Sequence, residues 1–262
     1  MPGIASNTWR PRQLIARFQN FYSMIYQTVG GMAKKPYYNF ETVSQMDHDG
    51  WGSLAIVVTV SAFIGMALSL QLITELSFMG LKMYTGQVIG TSIISEIGPV
   101  IIAIVYAGRV GSGTASEIGS MKLNQQLDAL RVYGVDPLKK LVAPRVISAV
   151  IILPALTFIG DVSALIGGAY IARFSGNQSP LVYWEQIRLV LHPRWIAPGV
   201  IKPIVFGTTI SMMACYTGLS ATGGAKGLKK ATTHAFVNSV ILIIVLDFVL
   251  TKAILYIMGY LS

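Results

Sequence analysis

The chain has 262 residues, of which 53% are hydrophobic and only 12% are charged, and its formal net charge is +9. Soluble domains carry about a quarter charged residues, so this composition excludes a soluble globular protein and indicates an all-α integral membrane protein. The 20 Lys and Arg residues are scattered over loops instead of being gathered on one face. This distribution argues against nucleic-acid binding, and we expect no nucleic-acid partner.

The segment from Pro11 to Tyr38 predicts an amphipathic helix. Its apolar residues recur at spacings of three and four among basic side chains, as is typical of a helix lying in the membrane interface. A short sixth membrane insertion is the alternative. The first residues lack an apolar core followed by a small-residue cleavage site, so we expect no cleaved signal peptide. We assign residues 1–50 to an N-terminal segment with this helix and residues 51–262 to a membrane domain.

Five apolar runs are long enough to cross a membrane, which takes roughly 20 residues. They are residues 53–73, 86–107, 141–172, 196–216 and 235–260. The third run is longer than an upright span needs, and it contains Pro154 and the Gly167–Gly168 pair. We therefore expect it to tilt, to kink at Pro154 or to extend beyond the bilayer.

Lys and Arg residues are divided unequally between the two sides of the predicted bundle. The N-terminal segment and the loops after the second and fourth runs carry 14 of them. The opposite loops carry five, namely Lys82, Arg173, Arg188, Arg194 and Lys202. Because basic loops stay in the cytoplasm, we predict a cytoplasmic N-terminus and a C-terminus on the outer face.

Between the second and third runs, the sequence has the start and stop signals of a separate polar helix. Thr114 and Glu117 have the spacing of a capping box, and Gly134 followed by Pro137 indicates a C-terminal stop. Apolar residues recur between these signals at near-helical spacing. This helix is either a connector on the membrane surface or a knob that fits a groove in a partner.

The chain lacks the motif needed to hydrolyse ATP. A phosphate loop ends in Gly-Lys followed by Ser or Thr, but the glycines at 108–113 are followed by Thr114, and Lys226 stands at the wrong spacing in the glycine cluster at 223–227. The three histidines are widely separated and show no metal-ligand spacing. We predict no catalytic residue, no metal site and no cofactor in this chain.

Ionisable residues within predicted spans cost roughly 2.5–3.5 kcal/mol each and usually face a cavity or a partner. The four that stand out are Glu96, Asp161, Asp247 and Lys252. Glu96 precedes Pro99, whose missing N–H frees the carbonyl of Ser95. It either lines a polar cavity at a dimer interface or makes a structural hydrogen bond. Asp247 and Lys252 are five residues apart, so their side chains do not share a helix face and cannot form an ideal pair on one helix. We expect structural roles for them and for Asp161.

The outer end of the first run and the loop after it combine apolar and small polar side chains. A pocket for acyl tails needs mostly apolar walls with a few polar groups at its mouth. The residues are Leu70, Gln71, Ile73, Thr74, Leu76, Phe78 and Met79. Any lipid-facing helix end has a similar composition. With Glu96, these residues form the candidate lipid pathway.

Several motifs resemble those of the MlaE-type permeases of lipid-transporting ABC systems. They are EIGPV (96–100), AGRVGSGTASEIGSMK (107–122), QLDAL (126–130), GVDPLKKLVAPR (134–145), the glycine cluster with ATT (223–233) and LDFVLT (246–251). The resemblance extends from about Phe63 to Thr251 and makes residues 51–262 a permease domain of this type. It implies a homodimeric permease in the bacterial inner membrane, with Glu117 to Arg131 as a cytoplasmic coupling helix.

The resemblance also implies partners for the chain. These are a cytoplasmic ABC ATPase pair that binds ATP and Mg, a STAS-domain regulatory subunit, a periplasmic MCE-domain hexamer and phospholipid. The implied function is phospholipid transport that maintains outer-membrane lipid asymmetry. The residues implied in coupling to the ATPase are Glu117, Met121, Lys122, Gln125, Leu127, Asp128 and Arg131.

Two other interpretations remain at this stage. One is a secondary transporter driven by protons through Glu96, Asp161 and Asp247, which would respond to the proton gradient and ignore ATP. The other is a membrane scaffold that only anchors partners and has no lipid cavity.

Overall fold

The computed structural model describes residues 19, 21–26, 28, 30 and 38–259, a part of the chain that contains helices and no strand. Its elements are α1 Asn39–Phe78, α2 Lys82–Leu123, α3 Gln126–Val132, α4 Leu138–Phe174, α5 Pro180–Arg188, α6 Pro193–Leu219 and α7 Gly224–Ile257. Five of them, α1, α2, α4, α6 and α7, are long and apolar enough to cross a membrane. The all-α class and the five predicted spans are therefore confirmed, although residue 260 of the last run lies outside the described part.

Helices α1 and α4 pack closely through small side chains. Every fourth residue of α1 faces the bundle interior: Asp49, Ser53, Val57, Ser61, Gly65, Ser69 and Ile73. A Cβ atom on Gly65 would overlap the carbonyl oxygen of Ala164, and one on Gly167 would overlap that of Ala62. Small residues at this spacing let two helix backbones approach closely in a membrane, where apolar burial alone does not drive association.

Replacing Gly65 by valine is expected to destabilise the bundle by about 1–3 kcal/mol, because the added methyl groups have no space between α1 and α4. Thermal unfolding of the purified protein in nanodiscs measures the effect. Ala67→Val is the matched control, since Ala67 lies on the same helix with an exposed side chain. Equal melting temperatures for the two variants would contradict this packing.

Helix α2 is much longer than the predicted second span. Its 42 residues correspond to about 63 Å, roughly twice the hydrocarbon thickness of a bilayer. Two π-helical turns, Ile93–Ile97 and Ala107–Gly111, lie within it. The helix continues through the predicted capping box to Leu123, with Thr114 buried inside it. The prediction that a separate polar helix begins at Thr114 is therefore wrong.

One glycine of each helix, Gly111 of α2 and Gly218 of α6, lets this part of α2 pack closely against α6. A Cβ atom on Gly111 would lie 3.1 Å from Ile210 Cγ2, and one on Gly218 would lie 2.9 Å from the carbonyl oxygen of Ala115. The π-helical turn at Ala107–Gly111 keeps the backbone hydrogen-bonded through the glycine-rich stretch. The glycines are therefore compatible with a continuous helix, which the sequence pattern did not indicate.

The short helix α3 lies between the second and third spans. Gln125 precedes it with a left-handed φ of 58°, and Gly134 follows it with φ 73°. The N–H of Val135 donates to the carbonyl of Leu130, and that of Gly134 donates to the carbonyl of Arg131, both at 3.0 Å. These two bonds form a Schellman motif, so the predicted stop at Gly134 is confirmed.

Helix α4 contains Pro154 within a continuous helix and is 37 residues long. Its length of about 56 Å takes it beyond a bilayer even when it is tilted. The described N-terminal residues are helical, and Met24 packs with Ile118 of α2, Val142 of α4 and Met212 of α6. This contact lies at the same end of the bundle as α3. The rest of the predicted interfacial helix is outside the described residues.

Helix α5 covers the opposite end of the bundle. Its Tyr183 is buried, and the hydroxyl group donates to the carbonyl oxygen of Leu165 at 3.3 Å. Burial raises the pKa of Tyr183 to about 12, so the hydroxyl stays protonated and remains a donor at physiological pH. A Cβ atom on Gly86 would lie 2.5 Å from the carbonyl oxygen of Tyr183, so α5 also supports the beginning of α2.

Candidate functional site

A cluster of charged side chains joins three of the spans. Lys202 on α6 forms ion pairs with Oε2 of Glu96 on α2 and, at 2.8 Å, with Oδ1 of Asp247 on α7. The hydroxyl of Thr251 lies 3.3 Å from both carboxylate oxygens of Glu96. Because an unpaired charge within a membrane-spanning segment is costly, such charges are usually paired, and here Lys202 pairs with both carboxylates.

Counting Lys202 with the outer loops is wrong, because it lies on α6 and its side chain has no exposed surface. The sequence does contain a signal for this position. Residue 202 falls inside the predicted fourth run, and two other runs contain the carboxylates Glu96 and Asp247. A cation and anions on separate spans indicate a charge pair across helices. Asp247 contacts another span through Lys202, as a structural role requires, and Lys252 is exposed.

The side chain of Glu96 lines a cleft between α2, α6 and α7. The cleft has a volume of about 400 Å³, counting space that is open to its surroundings. Glu96 keeps 42% of its side-chain surface exposed, whereas Asp247 keeps 23%. Arg194 and Trp195 line the same cleft, with the Arg194 guanidinium 5.1 Å from the indole ring centroid. The remaining walls are largely apolar and include Ile254, Leu255 and Met258.

A π-helical turn places Glu96 in this position. The turn spans Ile93–Ile97 and is followed by Pro99, which cannot donate a backbone hydrogen bond. Single π-helical turns inside α-helices are frequent at functional sites because they widen the helix locally and reorient one side chain. The hydroxyl of Ser95 lies 3.4 Å from the carbonyl oxygen of Trp195 and so holds α2 against the start of α6.

The seven other candidate pathway residues lie along the last turns of α1 and just after it. Leu70, Phe78 and Met79 have exposed side chains, while Ile73 is buried in an apolar cluster. None of the seven is among the residues that line the cleft beside Glu96. Within this chain, the structure does not bring them together with Glu96, so their part in a lipid pathway stays a prediction.

Asp161 lies apart from the charged cluster. It is 8% exposed and packs against Gly98, beside a very small cavity between α1, α2 and α4. Among the described residues its Oδ1 atom has no hydrogen-bond partner. The structure therefore brings Glu96 and Asp247 together but does not bring Asp161 into the same site.

A second polar cluster, which the sequence did not indicate, ties α1 to α2 and α4 near the end of the bundle that carries α3. Asp49 is 1% exposed, and its Oδ2 atom accepts hydrogen bonds from the hydroxyls of Tyr106 at 3.2 Å and Ser148 at 3.1 Å. Arg109 donates to the hydroxyl of Ser53 at 2.8 Å. These contacts fix the long N-terminal extension of α1 to the spans.

The residues implied in ATPase coupling do not form one helix. Glu117, Met121 and Lys122 lie on the last turns of α2, and Leu127, Asp128 and Arg131 lie on α3, with Gln125 in the turn between them. The prediction of a single helix from Glu117 to Arg131 is wrong, because the left-handed conformation of Gln125 ends the backbone hydrogen-bond pattern of α2.

Several of these side chains have partners within the chain. Glu117 pairs with the buried Arg145 of α4 at 2.7 Å, and Lys122 donates to the carbonyl of Leu219 at 2.6 Å. Leu127 is buried, with 4% of its surface exposed. By contrast, Val132 and Tyr133 at the end of α3 are 85% and 82% exposed. An exposed apolar pair at this position is the stronger candidate for contact with a partner.

Five apolar spans and a charged cluster around a buried lysine beside a cleft are typical of a polytopic membrane protein of the transporter class. Comparison with known families identifies it more closely, because residues 42–253 match the family described as Permease MlaE. The chain belongs to the MlaE permease family and is an ABC transporter permease, that is, a transport subunit.

Individual relatives agree with this family. The chain is 36% identical to a probable ABC transporter permease protein of Rickettsia prowazekii over 86% of each chain. It is 35% identical to the chloroplastic protein TRIGALACTOSYLDIACYLGLYCEROL 1 of Arabidopsis thaliana, over 93% of this chain and 70% of the relative. It is 32% identical to the intermembrane phospholipid transport system permease protein MlaE of Haemophilus influenzae, over 80% of each chain.

Proposed function

We propose that this chain is the membrane subunit of an ATP-driven phospholipid transporter. Two copies form the permease in the inner membrane of a bacterium with two membranes, with the N-terminus in the cytoplasm and the C-terminus in the periplasm. The transporter moves phospholipid between that membrane and a periplasmic carrier and so maintains outer-membrane lipid asymmetry. The similarity to the intermembrane phospholipid transport permease of Haemophilus influenzae supports phospholipid as the substrate.

The observation that carries this proposal is the cleft beside Glu96. It combines a charged group on a span with largely apolar walls, and a phospholipid has the same combination of a polar head and apolar tails. The buried Lys202 holds Glu96 and Asp247 in place, so the charged end of the cleft is preorganised. The residues Leu70, Gln71, Ile73, Thr74, Leu76, Phe78 and Met79 remain proposed as a second part of the pathway.

The energy source lies in a separate ATPase pair that binds ATP and Mg. A STAS-domain subunit and an MCE-domain hexamer complete the proposed assembly on the cytoplasmic and periplasmic sides. ATP binding moves the ATPase subunits against α3 and the last turns of α2, and this motion shifts the permease between states in which the cleft is open or closed. The exposed Val132 and Tyr133 are the proposed contact.

Reconstitution tests the proposal. The complex is purified from its native membrane, its composition is measured by native mass spectrometry, and it is placed in proteoliposomes that contain fluorescent phospholipid. We expect two copies of this chain with two ATPase chains, and lipid transfer to an acceptor that requires hydrolysable ATP.

An ionophore separates the proposal from proton-coupled transport. Lipid transfer should continue when the proton gradient is collapsed and should stop when ATP is replaced by a non-hydrolysable analogue. Transfer that follows the proton gradient and ignores ATP would overturn the proposal. A complex that binds ATPase chains but no lipid would favour a scaffold.

A further inference from the structure

The charges that surround the cleft carry a further inference about the lipid head group. The cluster around the buried Lys202 contains two carboxylates, Glu96 and Asp247, but a single ammonium group, that of Lys202. Its formal charge is therefore negative by one unit. The more exposed of the two carboxylates is Glu96, which is also the one that lines the cleft. An excess negative charge within a membrane protein favours a positively charged partner at that point.

The opposite charge stands elsewhere on the same cleft. Arg194 belongs to the first turn of α6 and lines the cleft with its guanidinium stacked on Trp195. Lys202 lies eight residues further along α6, which corresponds to about 12 Å along the helix axis. The cleft thus presents a carboxylate at the level of Lys202 and a guanidinium nearer the helix start.

We infer that the cleft selects phospholipids with a zwitterionic, amine-bearing head group of the ethanolamine type over anionic phospholipids. The inference rests on the proposed function. The ammonium group pairs with Glu96, the phosphate group pairs with the guanidinium of Arg194, and the apolar side chains of Ile254, Leu255 and Met258 contact the adjoining hydrocarbon.

An anionic glycerol head group fits this arrangement less well. It offers hydroxyl groups in place of the ammonium, so the excess charge beside Glu96 stays uncompensated in a partly desolvated site. A choline head group keeps the positive charge, but its methylated nitrogen cannot donate a hydrogen bond to the carboxylate. The order of preference expected from the cleft is therefore ethanolamine, then choline, then glycerol.

Lipid competition tests this inference on the intact complex. The complex is equilibrated in nanodiscs with equal amounts of phosphatidylethanolamine and phosphatidylglycerol of identical acyl chains. It is then extracted gently, and native mass spectrometry counts the lipids that remain bound. We expect the bound lipid to be enriched in phosphatidylethanolamine by about threefold, the effect of one partly screened ion pair.

Two variants assign the preference to the cleft. Glu96→Gln should abolish the enrichment while the bundle still folds, because Lys202 then retains Asp247 as a matched partner. Arg194→Gln should lower the total phospholipid bound and leave the ethanolamine-to-glycerol ratio of what remains above one. Glu185→Gln is the control, since Glu185 is an exposed glutamate on α5 that does not line the cleft.

The outcomes separate the inference from the function on which it rests. Phospholipid bound without enrichment, or an enrichment that survives Glu96→Gln, would overturn the head-group inference and leave a phospholipid permease intact. Failure of the wild-type complex to retain any phospholipid in nanodiscs or to transfer it with ATP would overturn the proposed function itself.

Discussion

Replacing Lys202 by methionine is expected to destabilise the protein by about 3 kcal/mol or more and to lower its yield in the membrane. Methionine is similar in length but carries no charge, so Glu96 and Asp247 would lose the cation that both of them contact. Two carboxylates would then face each other within the spans. The melting temperature in nanodiscs measures this effect, with Lys252→Met as the control at an exposed lysine of α7.

A triple variant separates charge balance from packing. Combining Lys202→Met with Glu96→Gln and Asp247→Asn removes the cation and both anions together, so no unpaired charge remains. We expect its melting temperature to return close to that of the wild type, because replacing a whole buried ionic cluster is often neutral. Lipid transfer should remain low, since the cleft has lost Glu96. A single Lys202→Met variant as stable as the wild type would show that the cluster does not hold the three spans together.

The arrangement of spans could be predicted from the sequence because apolar length is a local property. Four of the five predicted runs lie inside a helix of the structure, and the fifth lies in α7 up to Ile257; residues 258 and 259 form a turn after it, and residue 260 is outside the described residues. The stop at Gly134 was also predictable, since a left-handed position favours glycine and Pro137 cannot continue a helix. The prediction that a separate helix begins at Thr114 was wrong for a physical reason. A capping box has the same residue spacing as an ordinary helix interior, and the π-helical turn at Ala107–Gly111 leaves no local sequence mark.

The candidate site depends on contacts between distant parts of the chain. Glu96 was identified as a charge in a span, but its partner Lys202 lies 106 residues further along the chain. Periodicity cannot show which charges on different helices meet. Asp49 is a clearer case, since it lies in a polar stretch that looks like an exposed loop. It becomes a buried hydrogen-bond acceptor only because Tyr106 and Ser148 converge on it from two other helices.

The second large effect is expected where the chain contacts the proposed ATPase. Tyr133→Glu should weaken binding of the purified ATPase by about 2 kcal/mol, or roughly thirtyfold, because exposed tyrosines at the centre of interfaces are frequent hot spots. Its side chain is 82% exposed at the end of α3, so the substitution leaves the fold intact. Binding to the permease in nanodiscs is measured by surface plasmon resonance, and ATP-driven lipid transfer should fall with it.

Two further variants make the test of α3 specific. Phe40→Glu places the same charge on another exposed aromatic residue, on the N-terminal extension of α1, and should bind the ATPase normally if α3 is the contact. Tyr133→Phe keeps the aromatic ring and should also bind normally. Leu127 is unsuitable for this purpose, since it is buried and its replacement would disturb the fold. If Tyr133→Glu bound the ATPase as tightly as the wild type, coupling would have to pass through the last turns of α2, where Met121 and Leu123 have partly exposed apolar side chains.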